Sequence, residues 1–171
     1  MLLPRTVKSP ILDEMLPIEI SNDQKIPLLR YILTMVRKLR NILAHGLKYN
    51  TFNVQNFGKN LDKAAIRLLI NPSLLSDKEL KEEKWIYGIY GYIIFSLSII
   101  PDRLTQIRLA GNLLNYLKYL NIDNSSETDK LWHSLGTFYL QALNLPCDLE
   151  IRLNVFIKDR IQTNKENSTP I

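Results

Sequence analysis

Cysteine occurs once in the 171 residues, as Cys147. A lone thiol excludes an internal disulfide and a thiolate-built metal site. Histidine is nearly as scarce. There are two, His45 and His133, with no HxH or HExxH spacing, so no metal and no cofactor is expected. Glycine is low, at 6. Gly88 and Gly91 lack the strand, the Lys and the spacing of a phosphate loop. No apolar run reaches the roughly 20 residues of a membrane-spanning helix. The longest uncharged stretch, WIYGIYGYIIFSLSII (Trp85–Ile100), holds three tyrosines and two serines and reads as a buried core helix. The opening MLLPRTVKSP is not a signal peptide, because Pro4 and Arg5 interrupt its short apolar run. A cytoplasmic, reducing setting without membrane contact is the expectation.

What is present is a moderate positive excess, with a net charge of +5. The pI is about 9.3. Both suit a nucleic-acid or other acidic partner, and equally a solvated surface rich in Lys and Asn. A length of 171 residues suits one domain with its own core.

Residues 1–20 carry Pro4, Pro10 and Pro17 and read as an extended lead-in with at most one short turn. The apolar start suits a fragment or an internally initiated product. The first long helix is expected from the cap candidates Ser21, Asn22 and Asp23, with Pro27 in its first turn. Its apolar stripe is Leu29, Ile32, Leu33, Val36, Leu39, Leu43 and Leu47, and Gly46 signals its end near Tyr49. A loop with at most one turn follows in NTFNVQNFGKN. LDKAAIRLLI is a helix stopped by Asn71-Pro72. SDKELKEEK starts another through a capping box of Ser76 and Glu79. Pro101 is expected to open the next helix, with the stripe Leu104, Ile107, Leu114 and Leu117 and with Ala110 and Leu113 beside it. KLWHSLGTFYLQAL is a helix capped by Ser126 and Asp129, and Pro146 opens a last one to about Ile161. The polar residues 162–171 read as a disordered tail. No segment alternates like a strand. The expected fold is an all-α, single-domain bundle of six to seven helices over 21–161.

One stretch carries a candidate chemistry: RKLRNILAHG, residues 37–46. Asn41 and His45 are four apart and stack on one helix face. Arg30, Thr34, Arg37, Lys38 and Lys48 share that polar side, with Arg40 at its border. Histidine suits proton transfer near neutrality. Arginine offers a planar fork for phosphate oxygens.

RNILAHG resembles the R-x4-6-H signature of HEPN domains, the small all-α domains of many prokaryotic RNases, toxins and CRISPR-associated nucleases. Arg40, four residues and His45 match it. Asn41 after the Arg, and Ala44 and Gly46 around the His, agree as well. The resemblance covers about ten residues and the all-α class. It departs from the family in one respect. The motif lies on the first long helix, whereas many HEPN domains carry it towards the C-terminal end of the bundle. The resemblance implies metal-independent RNA cleavage in a homodimer. Arg40 and His45 of two protomers would face each other. The His would act on the ribose 2′-hydroxyl or the leaving oxygen, and the Arg would hold the scissile phosphate.

A second reading is a non-catalytic, nucleic-acid-binding helical small subunit of a CRISPR-type effector ribonucleoprotein. It resembles such subunits in size, charge and helical class. The helix after Pro101 supports it with a further polar face, Arg108, Asn112, Asn115 and Tyr119, flanked by Arg103 and Lys118. A third reading is a protein-interaction bundle with no nucleic-acid partner. His133, beside Trp132, reads as packed. Tyr87, Tyr90 and Tyr92 read as core tyrosines with hydroxyls at the rim rather than base-stacking platforms.

Overall fold

A computed structural model describes residues 10, 12–17, 19–45, 52–58, 61–120, 140–141 and 143–166. Among them the chain is all-helical, with seven helices and no strand. These are α1 (Asn22–Ala44), α2 (Gln55–Gly58), α3 (Lys63–Leu69), α4 (Asp77–Lys81), α5 (Ile89–Ile99), α6 (Arg103–Leu120) and α7 (Leu149–Glu166). The all-α class is as expected. The chain divides into two compact units, Met1–Pro101 and Asp102–Ile171, and the bundle expected over 21–161 spans both.

In the first unit, α1 packs against α2, α3 and α5. Leu28, Tyr31, Ile32 and Met35 form its buried face. Those positions are spaced i, i+3, i+4 and i+7, one side of a helix. Leu12, Leu16 and Ile20 from the helical turn and bend before α1 join this core. Lys25 is also buried, and Asp13 meets its charge at 2.5 Å. Without that partner the ammonium would sit desolvated and unpaired at high cost.

The short helices are set by their caps. Asp62 accepts the Ala64 N–H at 2.7 Å and starts α3. Ser76 and Glu79 form the expected capping box on α4. Between α4 and α5 the chain reverses through two left-handed residues, Glu83 (φ 56°) and Trp85 (φ 76°). That reversal presents the Ile86 carbonyl to the core, where the Tyr31 hydroxyl donates to it at 3.0 Å. The same carbonyl explains Gly91, since a Cβ there would lie 2.1 Å from it. Gly58 is held by bulk instead, because its Cβ would press on the rings of Tyr87 and Tyr31.

The uncharged stretch is a core helix, as expected, but it begins at Ile89 after the reversal. Tyr90, Ile94, Phe95 and Leu97 are buried, and the Tyr90 hydroxyl donates to the Leu74 carbonyl. Tyr87 sits at the rim and donates to Glu83 at 2.9 Å. Glu83 in turn pairs with Lys63 at 2.9 Å. Burial, then the bond to the Glu83 carboxylate, push the Tyr87 hydroxyl up to about 12. Burial likewise raises Tyr31.

In the second unit, α6 packs against α7. Asp102 caps α6, accepting the Thr105 N–H at 2.7 Å, so Pro101 precedes the cap instead of opening the helix. The buried face of α6 is Gln106, Ala110, Leu114 and Leu117, while Leu104 is 59% exposed. Leu149, Leu153 and Phe156 of α7 complete that core. Pro146 also sits before its helix, which starts at Leu149 and continues to Glu166, past Ile161. The expected helix over KLWHSLGTFYLQAL, with His133, lies outside the described residues except for Leu140, Gln141 and Leu143.

Candidate nucleic-acid interface

The expected apolar stripe of α1 turns out to be two faces. Ile32 is buried, and Leu39 half-buried, on the core side. Leu33 and Leu43 are 54% and 64% exposed. At about 100° per residue, Leu29, Leu33, Val36 and Leu43 point roughly a third of a turn away from Leu28, Tyr31, Ile32 and Met35. The core takes the second set because Tyr31 alone can reach the Ile86 carbonyl while packing on Phe95, with ring centroids 5.7 Å apart.

The helix also changes along its length. Five residues between Asn22 and Met35 are buried, and none is buried from Val36 to His45. The final ten residues of this stretch project from the core. All three motif residues lie there: Arg40, Asn41 and His45 are exposed. His45 closes α1, its backbone N–H bonded to the Asn41 carbonyl at 3.1 Å. Arg30 and Arg37 are exposed on the same polar face as Asn41 and His45, with Lys38 half-buried at its far edge. Among the described residues no carboxylate pairs with Arg30, Arg37 or Arg40. The Thr34 hydroxyl is committed to its own helix, donating to the Arg30 carbonyl at 2.8 Å. Lys48 lies outside the described residues.

Arg40 is set apart. His45 lies five positions further on, about 140° around the helix. It stands within the exposed apolar face, between Val36 and Leu43, and not on the rim of the polar one. One helix therefore presents the Arg and the His in different directions.

The sequence around the motif has one further property. From Gln24 to Leu61 there are seven Lys and Arg and no Asp or Glu. The projecting half thus carries an unbalanced positive charge, which adds to the long-range attraction of a polyanion. Counting carboxylates along that window would have revealed it.

In the second unit, Arg108, Asn112, Asn115 and Lys118 are exposed on α6, while the Tyr119 side chain lies outside the described residues. Arg103 is half-buried and already engaged. Its charge also reaches Arg160, half-buried on α7 with its guanidinium 5.2 Å from the Phe156 ring. Burial first and Arg103 second hold Arg160 below the usual guanidinium range. Arg103 is thus part of the packing of α6 on α7, while Arg108, whose charge acts on Asp102, and Lys118 are exposed on this face.

Among the described residues no group of three or more His, Cys, Asp or Glu could hold a metal ion. No described helix is long and apolar enough to cross a membrane. No protein-family model, curated protein or solved structure matches the chain.

Proposed function

We propose that this protein is RNA-directed and contacts RNA phosphates through the projecting half of α1, in the manner of a HEPN-like domain. The observation that carries the reading is the placement of Asn41 and His45 with Arg30 and Arg37. They share one exposed face, and Arg37, Asn41 and His45 lie on the part of the helix that has no buried residue. Arginine forks there can hold a backbone whose counterions are released on binding. His45 supplies a group able to take or give a proton near neutral pH, and Asn41, one turn before it, can orient the ring.

In its catalytic form the reading is a metal-independent endoribonuclease acting as a homodimer. His45 would remove the proton of the ribose 2′-hydroxyl, or return one to the leaving oxygen. Arg40 of the second copy would hold the phosphate as negative charge builds on it. The divergence of Arg40 and His45 of one copy by about 140° supports a site completed by a second copy. No cofactor is called for, and the single cysteine, exposed Cys147, suits a reducing cytoplasm.

A second reading is a non-catalytic helical small subunit of a CRISPR-type effector ribonucleoprotein. The position of Arg40 within an apolar face favours it, because that face is suited to a protein neighbour.

The test is RNA cleavage by the full chain in EDTA, beside binding of the same RNA at several salt concentrations. His45→Ala abolishes cleavage under the catalytic form. Cleavage that survives this change rules the mechanism out. Binding that weakens with salt, without cleavage, selects the second reading. Binding indifferent to salt removes both.

A further inference from the structure

The exposed apolar face of α1 has a regular spacing. Ile26, Leu29, Leu33, Val36, Arg40 and Leu43 are separated by three, four, three, four and three residues. Leu47, beyond the described residues, continues the series by four. This is the a/d seam of a coiled coil, in which alternating steps of three and four keep one edge facing a partner helix. Ile26, Leu33, Val36 and Leu43 are 45%, 54%, 37% and 64% exposed. From Ile26 to Leu43 the seam is about 26 Å long at 1.5 Å per residue.

With Ile26 at a, the a positions are Ile26, Leu33 and Arg40, and the d positions are Leu29, Val36 and Leu43. The e positions that border the seam are Arg30, Arg37 and Ala44. The g positions Lys25 and Ile32 are buried in the core, and Leu39 is half-buried. The seam therefore has one wall of protein and one open edge, and the open edge is basic.

We infer that this seam docks an amphipathic helix of another protein, with apolar a/d residues and a row of Asp or Glu. Charge chooses the occupant. A second copy of α1 in parallel would set Arg40 against Arg40 inside the seam. In antiparallel register it would bring the Arg30 and Arg37 edges together. No carboxylate occurs from Gln24 to Leu61 to relieve either pairing. A helix with an acid opposite Arg40 and acids along the edge satisfies all three arginines at once. The inference deepens the subunit reading by naming its neighbour, and it competes with the catalytic dimer for Arg40.

The experiment uses the full chain and two fluorescent three-heptad peptides, both with Ile at a and Leu at d. One has Glu at e and g and a single Asp at the central a position; the other has Lys at all of these. Anisotropy is expected to show the acidic peptide binding at least about tenfold more tightly than the basic one. Leu33→Asp with Leu43→Asp should abolish binding while the helical circular dichroism and melting midpoint are kept. Arg37→Glu with Arg40→Glu should reverse the preference between the peptides. Equal binding of both peptides, or of neither, overturns the inference. So does sedimentation showing a dimer that Leu33→Asp converts to monomer, which assigns the seam to a second copy. Loss of RNA binding in the Leu33→Asp, Leu43→Asp variant overturns it too, by assigning the seam to RNA. RNA affinity of the wild-type chain is measured in parallel, so a failed peptide experiment is distinguishable from a failed RNA reading.

Discussion

The two halves of α1 follow the same helical geometry and answer to different constraints. Residues up to Met35 are chosen by neighbours: a tyrosine that must reach one carbonyl, a lysine that must meet one aspartate. Residues from Val36 to His45 have no buried member, with Lys38, Leu39 and Ile42 half-buried, so the fold constrains them less. Yet they hold Arg37, Lys38, Arg40, Asn41 and His45 within nine positions. A segment that stability constrains less and that still concentrates cations, an amide and an imidazole is where a binding role is to be sought.

The largest expected difference between the halves is in stability. Tyr31→Ala should cost about 3–5 kcal/mol, because it empties a core site and strands the Ile86 carbonyl. Urea denaturation measures it. A cost below about 1 kcal/mol would mean that the anchored half is not anchored. Gly91→Ala tests the same carbonyl from the opposite side and should cost about 2–3 kcal/mol through the forced displacement of Ile86.

A smaller effect is expected in binding. Arg37→Ala should leave the melting midpoint in place and lower the slope of log affinity against log salt by about 1, the loss of one phosphate contact. An unchanged slope would remove Arg37 from the interface.

The pH dependence separates the halves again. Tyr87 holds its proton up to about 12 when folded, against an ordinary 10. Burial shifts Tyr31 in the same direction. The folded chain thus binds these protons more tightly than the unfolded one. Stability from them is complete below pH 10 and declines as pH rises towards 12. Tyr87→Phe should flatten that decline in denaturation midpoints taken across the range. Val36→Ala closes the series. It should change stability by no more than about 1 kcal/mol, since the side chain is 37% exposed.

Most of the fold was legible because local rules set it. The capping box of Ser76 and Glu79, the helix within LDKAAIRLLI and the uncharged run Trp85–Ile100 each rest on residues close in sequence. The division of the α1 stripe was not legible, because Ile32 and Leu33 are equally apolar. Only the long-range bond from Tyr31 to Ile86, 55 residues away, decides which turns inward. The reversal at Glu83 and Trp85 was hidden for a related reason, as neither residue type favours a left-handed backbone. The candidate residues could be chosen from the sequence by type and spacing, and how they divide between faces was only partly legible. Periodicity placed Asn41 and His45 together. It put Arg40 on their border, where the exposure of Leu33, Val36 and Leu43 shows that Arg40 belongs to the other face.

The reversal between α4 and α5 has a consequence in time as well as in space. Its carbonyls gather two donors from distant parts of the first unit, Tyr31 on Ile86 and the Val54 N–H on Tyr87 at 3.0 Å, and one from nearby, the Gly91 N–H on Trp85 at 3.0 Å. No one of these bonds can open without disturbing the segment that carries the others. Amide protons at Val54 and Gly91 should therefore exchange with solvent only when the whole unit opens. Those of the last turns of α1 should exchange by local fraying, many times faster. The exposed end of α1 would be remade continually on a base that is renewed rarely.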